Sequence, residues 1–293
     1  MTLSRPEAER RVEERRVAAW GLSLAGRYWP GEGLPILALH GWLDNTNSFV
    51  PLAQTVKNPL FALDFAGHGW SDHRPANAVS HYIDHVRDVA AVLDDLGWQQ
   101  CLLLGHSMGA GVAAIFAGTF PERLQAVAMI EGLGPPVTDA EQAPEVLRKA
   151  VTEMYSLADK QKPCYATVED AVAARTRGFG GLSESASRLL CERGLEQIKG
   201  GWTWRADPRL RLTSSLRMTE SQVQAFLQAI SVPALLIEAE QGMGGSGAFE
   251  QRLPWVSQLQ RVTLPGSHHL HLEDPNPVAR QLEAFITGLS EAS

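Results

Sequence analysis

The sequence predicts an α/β protein in which a mostly parallel sheet is covered by helices on both faces and interrupted by a helical insertion. Three observations carry that expectation. Between Leu34 and Ile130, apolar runs of strand length alternate with segments of helical period, the pattern of parallel strands joined by crossover helices. From Gly134 to about Leu227 the rhythm stops: helix-like pieces follow Pro135 and Pro136, and Trp202 and Trp204 sit in a stretch with no clear buried strand. At Val232 the apolar runs resume. The expected division is a core of residues 1–134 and 228–293 and a helical cap of residues 135–227. A chain of 293 residues, 44% hydrophobic, is long enough for one large domain with such an insertion.

Taken in order, residues 4–16 alternate Arg and Glu and read as a short helix or a solvated arm. Residues 16–20 and 22–29, punctuated by Gly21 and the turn Pro30-Gly31-Glu32-Gly33, resemble an antiparallel hairpin. A buried strand follows at 34–39, and His40-Gly41-Trp42 stands at its carboxyl end, where open α/β sheets gather their binding loops. Residues 49–56 look helical. The next strand, 60–63, runs into a glycine-rich turn, DFAGHGWSD. Ile83, Val86, Val89, Ala90 and Leu93 give residues 79–96 a helical period, with Gly97 as its stop. Residues 124–130 form another buried strand, and Glu131 stands directly at its end. The insertion carries helix-like pieces at 144–157, 168–175 and 184–198. Strands at 232–237 and near 261–264 and a helix at 277–289 close the chain.

The centre of the sequence is CLLLGHSMGAG, residues 101–111. Its first four residues read as a buried strand, and the small residues Gly109, Ala110, Gly111, Ala113 and Ala114 suit a helix packed tightly on a sheet. Between them Gly105-His106-Ser107-Met108-Gly109 has the G-x-S-x-G pattern of a nucleophile elbow, which forces a serine into a strained strand-to-helix turn. A helix-capping serine in an ordinary glycine-rich turn is the plainer reading of the same five residues. The strand-then-helix context favours the elbow.

Composition narrows the partners. A net charge of −7 argues against nucleic acid or an anionic membrane. Cys101, Cys164 and Cys191 lie far apart with no C-x-x-C, which fits a reducing compartment. No apolar run reaches membrane-spanning length and the first residues are charged rather than signal-like, so a soluble, cytoplasmic protein without a membrane span is expected. Gly242 to Gly247 is glycine-rich but lacks the Lys-Ser/Thr ending of a phosphate cradle, and reads as a flexible loop. The clustered His268, His269 and His271 could suit a metal, yet no motif elsewhere in the sequence completes a ligand set. No metal and no cofactor are expected.

The succession HGWLDN (40–45), DFAGHGWSD (64–72), GHSMG (105–109) and PGSHHLHLEDP (265–275) resembles the α/β-hydrolase superfamily over essentially the whole chain. HGWLDNTNSF and the cap segment ERGLEQIKGGWTWRADPRLRL (192–212) are most similar to its serine hydrolase-like group of esterases. The resemblance implies an eight-stranded sheet with a lid and a Ser-acid-His triad in that chain order. Ser107 would be the nucleophile and needs an imidazole to take its proton. The family pattern selects His268, leaving His271 structural. The usual late acid would align with Gly242, a departure from the pattern, so Glu131 takes the alternative acid position and Glu240 is its competitor. The oxyanion hole would use the backbone N–H groups of Trp42 and Met108. His40, Gly41 and Gly67 read as loop-shaping residues.

The expected activity is that of a serine hydrolase acting on carboxylic esters through an acyl-enzyme. Acyl transfer or C–C bond hydrolysis on the same triad, and a non-catalytic ligand-binding protein on a hydrolase scaffold, are the alternatives. Dehalogenation and epoxide hydrolysis would put a carboxylate where Ser107 stands. Met154, Tyr155, Phe179, Trp202 and Trp204 could receive an apolar part of a small-molecule ester or simply bind cap to core.

Overall fold

The computed structural model describes residues 10–157, 162–178 and 180–291. Two antiparallel strands, β1 (Glu13–Ala19) and β2 (Leu22–Trp29), open the chain. Residues 13–16 of the expected arm therefore belong to a strand. As the outermost strand of the sheet, β1 turns Val17 and Ala19 inward and leaves Glu14, Arg15 and Arg16 exposed, and such charge protects an open edge. The residues of that arm before 10 lie outside the described residues.

The central strands are β3 (Ile36–Leu39), β4 (Leu60–Leu63), β5 (Cys101–His106) and β6 (Leu124–Ile130). The helices α1 (Val50–Thr55), α2 (Tyr82–Asp95) and α3 (Met108–Thr119) connect them. Helix α2 begins three residues later than expected, where the Asp84 carboxylate accepts from the His81 N–H. The segment after β6 carries α4 (Ala143–Leu157), α5 (Val168–Thr176), α6 (Glu184–Gly194), the strands β7 (Leu195–Ile198) and β8 (Gly201–Trp204), and α7 (Glu220–Gln228). The chain ends with β9 (Ala234–Gln241), β10 (Leu259–Ser267), a single turn α8 (Leu270–Glu273) and α9 (Pro275–Glu291).

Eight strands form one sheet in the order β1-β2-β4-β3-β5-β6-β9-β10, parallel from β4 through β10. Its central strands are largely apolar, Gln125 and His106 apart, because both faces are covered. Leu37, Leu39, Phe61, Leu63 and Leu103 pack with Val89 of α2, Val112 of α3 and Leu227 of α7. Ile36, Ala38, Leu60, Ala62 and Leu102 face the other way, against Leu52 of α1 and Leu282 and Phe285 of α9. Helix α7, which straddles the expected boundary at 227/228, sends both Val223 and Leu227 into the first of these layers. No helix among the described residues is long and apolar enough to cross a membrane.

The expected helix 184–198 is corrected: α6 stops at Gly194 and the chain enters a β7–β8 hairpin. Leu195 leaves the helix because its side chain is buried with Ala171, Val172 and Cys191, with Trp202 and Trp204 packed alongside. This cluster ties hairpin to α5 and α6, and its small size hid it in a sequence read by long apolar runs.

One buried cation clamps α6 to the sheet. Arg193, 1% exposed, donates from Nε to Asp64 Oδ2 at 2.7 Å and from a terminal nitrogen to both Glu14 oxygens at 2.9 Å. Its guanidinium lies over the Trp70 ring, 4.3 Å from the centroid. Asp64 in turn accepts from the N–H groups of Thr46 and Trp70, so the loops after β3 and β4 hang on the same carboxylate. Arg193→Ala is expected to lower stability by about 3 kcal/mol, since it strands the buried Asp64 charge. Urea denaturation checks this, and a loss under about 1 kcal/mol, as for an exposed pair, would count against the clamp.

Candidate active site

Ser107 lies between β5 and α3 with φ 52° and ψ −112°, a conformation that L-residues avoid. The turn is held by Ser107 N–H donating to the Ile130 carbonyl at 2.9 Å and by Gly111 N–H donating to the Ser107 carbonyl at 3.1 Å. The flanking glycines permit it by close approach: a Cβ on Gly109 would overlap the Leu39 carbonyl, and one on Gly105 would overlap the Gly109 carbonyl. Strand β5 therefore delivers a half-buried hydroxyl at the carboxyl edge of the sheet.

His268 follows directly on β10. Its Nε2 is 3.0 Å from Ser107 Oγ and its Nδ1 is 3.0 Å from Glu131 Oε2. A carboxylate can only accept, so Nδ1 carries the hydrogen and Nε2 offers a lone pair to the serine hydroxyl. Glu131, at the end of the adjacent strand β6, has φ 54° and is fully buried. Its carboxylate also accepts from the N–H groups of Ala239 at 2.8 Å, Met243 at 2.6 Å and Gly244 at 3.3 Å. Burial works to raise its pKa, but the His268 hydrogen bond and these three backbone donors outweigh burial and hold it below the usual value.

Glu240 is exposed near the end of β9, whereas the carboxylate bonded to His268 is that of Glu131. Glu238 points elsewhere, buried and paired with Arg261. The Glu131 carboxylate fills the space that a side chain at 242 would need: a Cβ there would overlap Glu131 Oε2. Side chains at 131 and 242 thus compete for one space. Within residues 242–247, a short 3₁₀ turn supplies two of the donors to that carboxylate.

His40 shapes the facing loop. Its Nε2 accepts from Phe65 N–H at 3.1 Å, so Nδ1 donates to the Gly41 carbonyl at 2.7 Å. Burial drives its pKa down to about 4, so the ring is neutral. Trp42 is exposed over the cavity and donates from Nε1 to the Leu210 carbonyl at 2.8 Å, linking this loop to the inserted segment. The Met108 carbonyl accepts from the Tyr82 hydroxyl at 2.5 Å. A cavity of about 410 Å³ opens at Ser107 and His268, walled by Trp42, Leu43, Tyr165 and Trp204 and carrying Arg175 and Arg211. Of the aromatic residues expected there, Trp204 lines it. Met154 and Tyr155 are exposed, Trp202 packs within the inserted segment, and Phe179 lies outside the described residues.

Sequence reasoning missed the other half of the cavity wall. Asp44, His106 and His269 meet there, all buried, with His269 Nε2 3.0 Å and His106 Nδ1 4.0 Å from Asp44 Oδ2. Arg175 donates to Asp44 Oδ1 at 2.7 Å. Burial opposes ionisation of Asp44, but His269 and Arg175 hold its pKa well below the usual value. His271 is buried against His106 and Phe49, with its pKa driven down to about 3 by burial. His106 occupies the variable position of G-x-S-x-G and Asp44 sits in HGWLDN, so each was visible as a residue but not as a neighbour of His269.

The family model described as the alpha/beta hydrolase fold matches residues 35–173. The chain is 43% identical to a hypothetical protein of Pseudomonas aeruginosa PAO1 of known crystal structure, covering 94% of this chain and 99% of that one with a TM-score of 0.90. The thioesterase domain from the curacin biosynthetic pathway is 25% identical, covers 92% of this chain and 99% of its own, and superposes with a TM-score of 0.82. A serine hydrolase-like protein of Danio rerio is 29% identical over 94% of this chain and 88% of the relative. The chain belongs to the α/β-hydrolase superfamily. Within it, the likeness is to the serine hydrolase-like group.

Proposed function

We propose that the protein is a serine hydrolase of carboxylic esters with Ser107 as nucleophile, His268 as base and Glu131 as the orienting acid. The observation that carries this reading is the unbroken chain from Ser107 Oγ to His268 Nε2 and from His268 Nδ1 to Glu131 Oε2, each link 3.0 Å. As Oγ attacks the ester carbonyl, its proton passes to Nε2. Glu131 stabilises the imidazolium that forms. The tetrahedral oxygen would be met by the N–H groups of Trp42 and Met108. Nε2 then protonates the departing alcohol, leaving an acyl group on Ser107, and the same nitrogen takes a proton from the water that releases it.

The substrate suggested is a small molecule whose apolar part rests on Trp42, Tyr165 and Trp204 beneath a cap of residues 135–227. A carboxylate-bearing acyl group is a second reading, favoured by Arg211, which lines the cavity without an ion-pair partner among the described residues. The likeness to a thioesterase fits the same acyl chemistry. Free thiols at Cys101, Cys164 and Cys191 are consistent with the cytoplasmic placement kept in this reading. Labelling by a fluorophosphonate probe tests it: one adduct is expected, on Ser107, with loss of turnover on neutral and carboxylate-bearing activated esters. A protein that neither labels nor turns over any of these esters would favour the ligand-binding alternative.

A further inference from the structure

The geometry points to a binding site for a zinc-class divalent cation in the cavity wall, built from Asp44 Oδ2, His106 Nδ1 and His269 Nε2. Two independent observations support it. The first is the donor set: a carboxylate and two imidazoles, all buried, whose ligand atoms lie within 4.8 Å of one another. Tetrahedral zinc with bonds of about 2.0–2.1 Å puts neighbouring ligand atoms roughly 3.3 Å apart. The distances from Asp44 Oδ2, 3.0 Å to His269 and 4.0 Å to His106, bracket that separation.

The second is the polarity of His106. Its Nε2 is 2.8 Å from the His268 carbonyl, which can only accept, so the ring hydrogen is on Nε2 and Nδ1 presents a bare lone pair. That nitrogen is fully buried, has no hydrogen-bond partner among the described residues and faces a carboxylate oxygen. Two electron-rich atoms confront each other, and a cation resolves the conflict. An imidazole that donates its far N–H to a backbone carbonyl while its near nitrogen ligates is the usual arrangement of a metal-bound histidine. Arg175 occupies Asp44 Oδ1, leaving Oδ2 as the single ligand oxygen. His269 Nε2 gives its hydrogen up on ligation, and its Nδ1, without a partner among the described residues, can carry it instead.

Placement gives the ion a consequence, which rests on the proposed function. His106 precedes Ser107 and His269 follows His268, so an ion joining them restrains both ends of the proton path. Zinc is therefore expected to slow ester hydrolysis. Binding itself is read without turnover, by calorimetry with zinc chloride and by the visible absorption of cobalt(II) on the metal-stripped protein.

One ion per chain is expected, with nitrogen and oxygen ligation and no thiolate charge-transfer band. His106→Asn and His269→Asn should each weaken binding on the order of 100-fold. Cys164→Ser, which removes the exposed thiol, should leave binding unchanged. Failure of the parent protein to bind zinc or cobalt would mean that water alone bridges His106 and Asp44, and would overturn the site. So would a thiolate band in the parent, a measurement that needs no variant to fold, or undiminished binding in either folded histidine variant. Zinc binding without inhibition would spare the site and count against the proposed role of its neighbours.

Discussion

Ser107→Ala is expected to abolish ester hydrolysis and fluorophosphonate labelling, with kcat falling on the order of 10⁶-fold as when the nucleophile of an acting triad is removed. The fold should persist, because the turn is held by backbone bonds from Ser107 N–H and to its carbonyl that an alanine keeps. A sharper test uses the strain. At φ 52° and ψ −112° a Cβ is unfavourable and glycine is not, so Ser107→Gly should be more stable than Ser107→Ala by about 1 kcal/mol while equally inactive. Urea denaturation of the two variants measures the difference. Equal stability would mean that the elbow stores no strain, and substantial turnover by the alanine variant would remove Ser107 from the chemistry.

The sheet was legible wherever both of its faces are buried. Strands 60–63 and 124–130 were read to the residue, because continuous apolar runs between polar turns leave no other place for them. Ends governed by local contacts were not. The helix read at 184–198 stops at Gly194 because Leu195 is drawn to Trp202 and Trp204, a pairing across a short hairpin with no apolar run of its own. Charge hid β1 in the same way: an edge strand carries Glu and Arg outward, and that composition also describes a solvated arm.

For the site, the residues whose position is written in a local motif were the readable ones. G-x-S-x-G announces its serine, and the late histidine follows from a family pattern. What a motif cannot express is a meeting of distant segments. His269 and Asp44 are 225 positions apart, and His106 looked like the free choice in its pentapeptide. The gap left by glycine at 242 was visible as an absence. Only the fold reveals that the Glu131 carboxylate lies in that gap, where Met243 and Gly244 donate to it.

Glu131→Gln is expected to lower kcat on the order of 10⁴-fold, the loss seen when a triad carboxylate becomes an amide, whereas Glu240→Gln should have little effect. The amide keeps shape but cannot stabilise the imidazolium, and its NH₂ must face either the His268 Nδ1–H or one of three backbone donors. Stability against pH separates charge from packing. Folding depresses the Glu131 pKa, so its contribution is full above the ordinary carboxyl value, about 4.3, and fades as pH falls through the lower folded value. The parent should therefore lose stability on acidification below about pH 4 more steeply than Glu131→Gln. The competition between positions 131 and 242 gives the complementary result. Gly242→Asp alone should be inactive, since its side chain collides with the Glu131 carboxylate, and removing that carboxylate in Glu131→Ala/Gly242→Asp should restore part of the activity missing from Glu131→Ala. If Glu240→Gln is instead the crippled variant and Glu131→Gln turns over normally, the orienting carboxylate comes from the exposed end of β9 and the assignment to Glu131 fails.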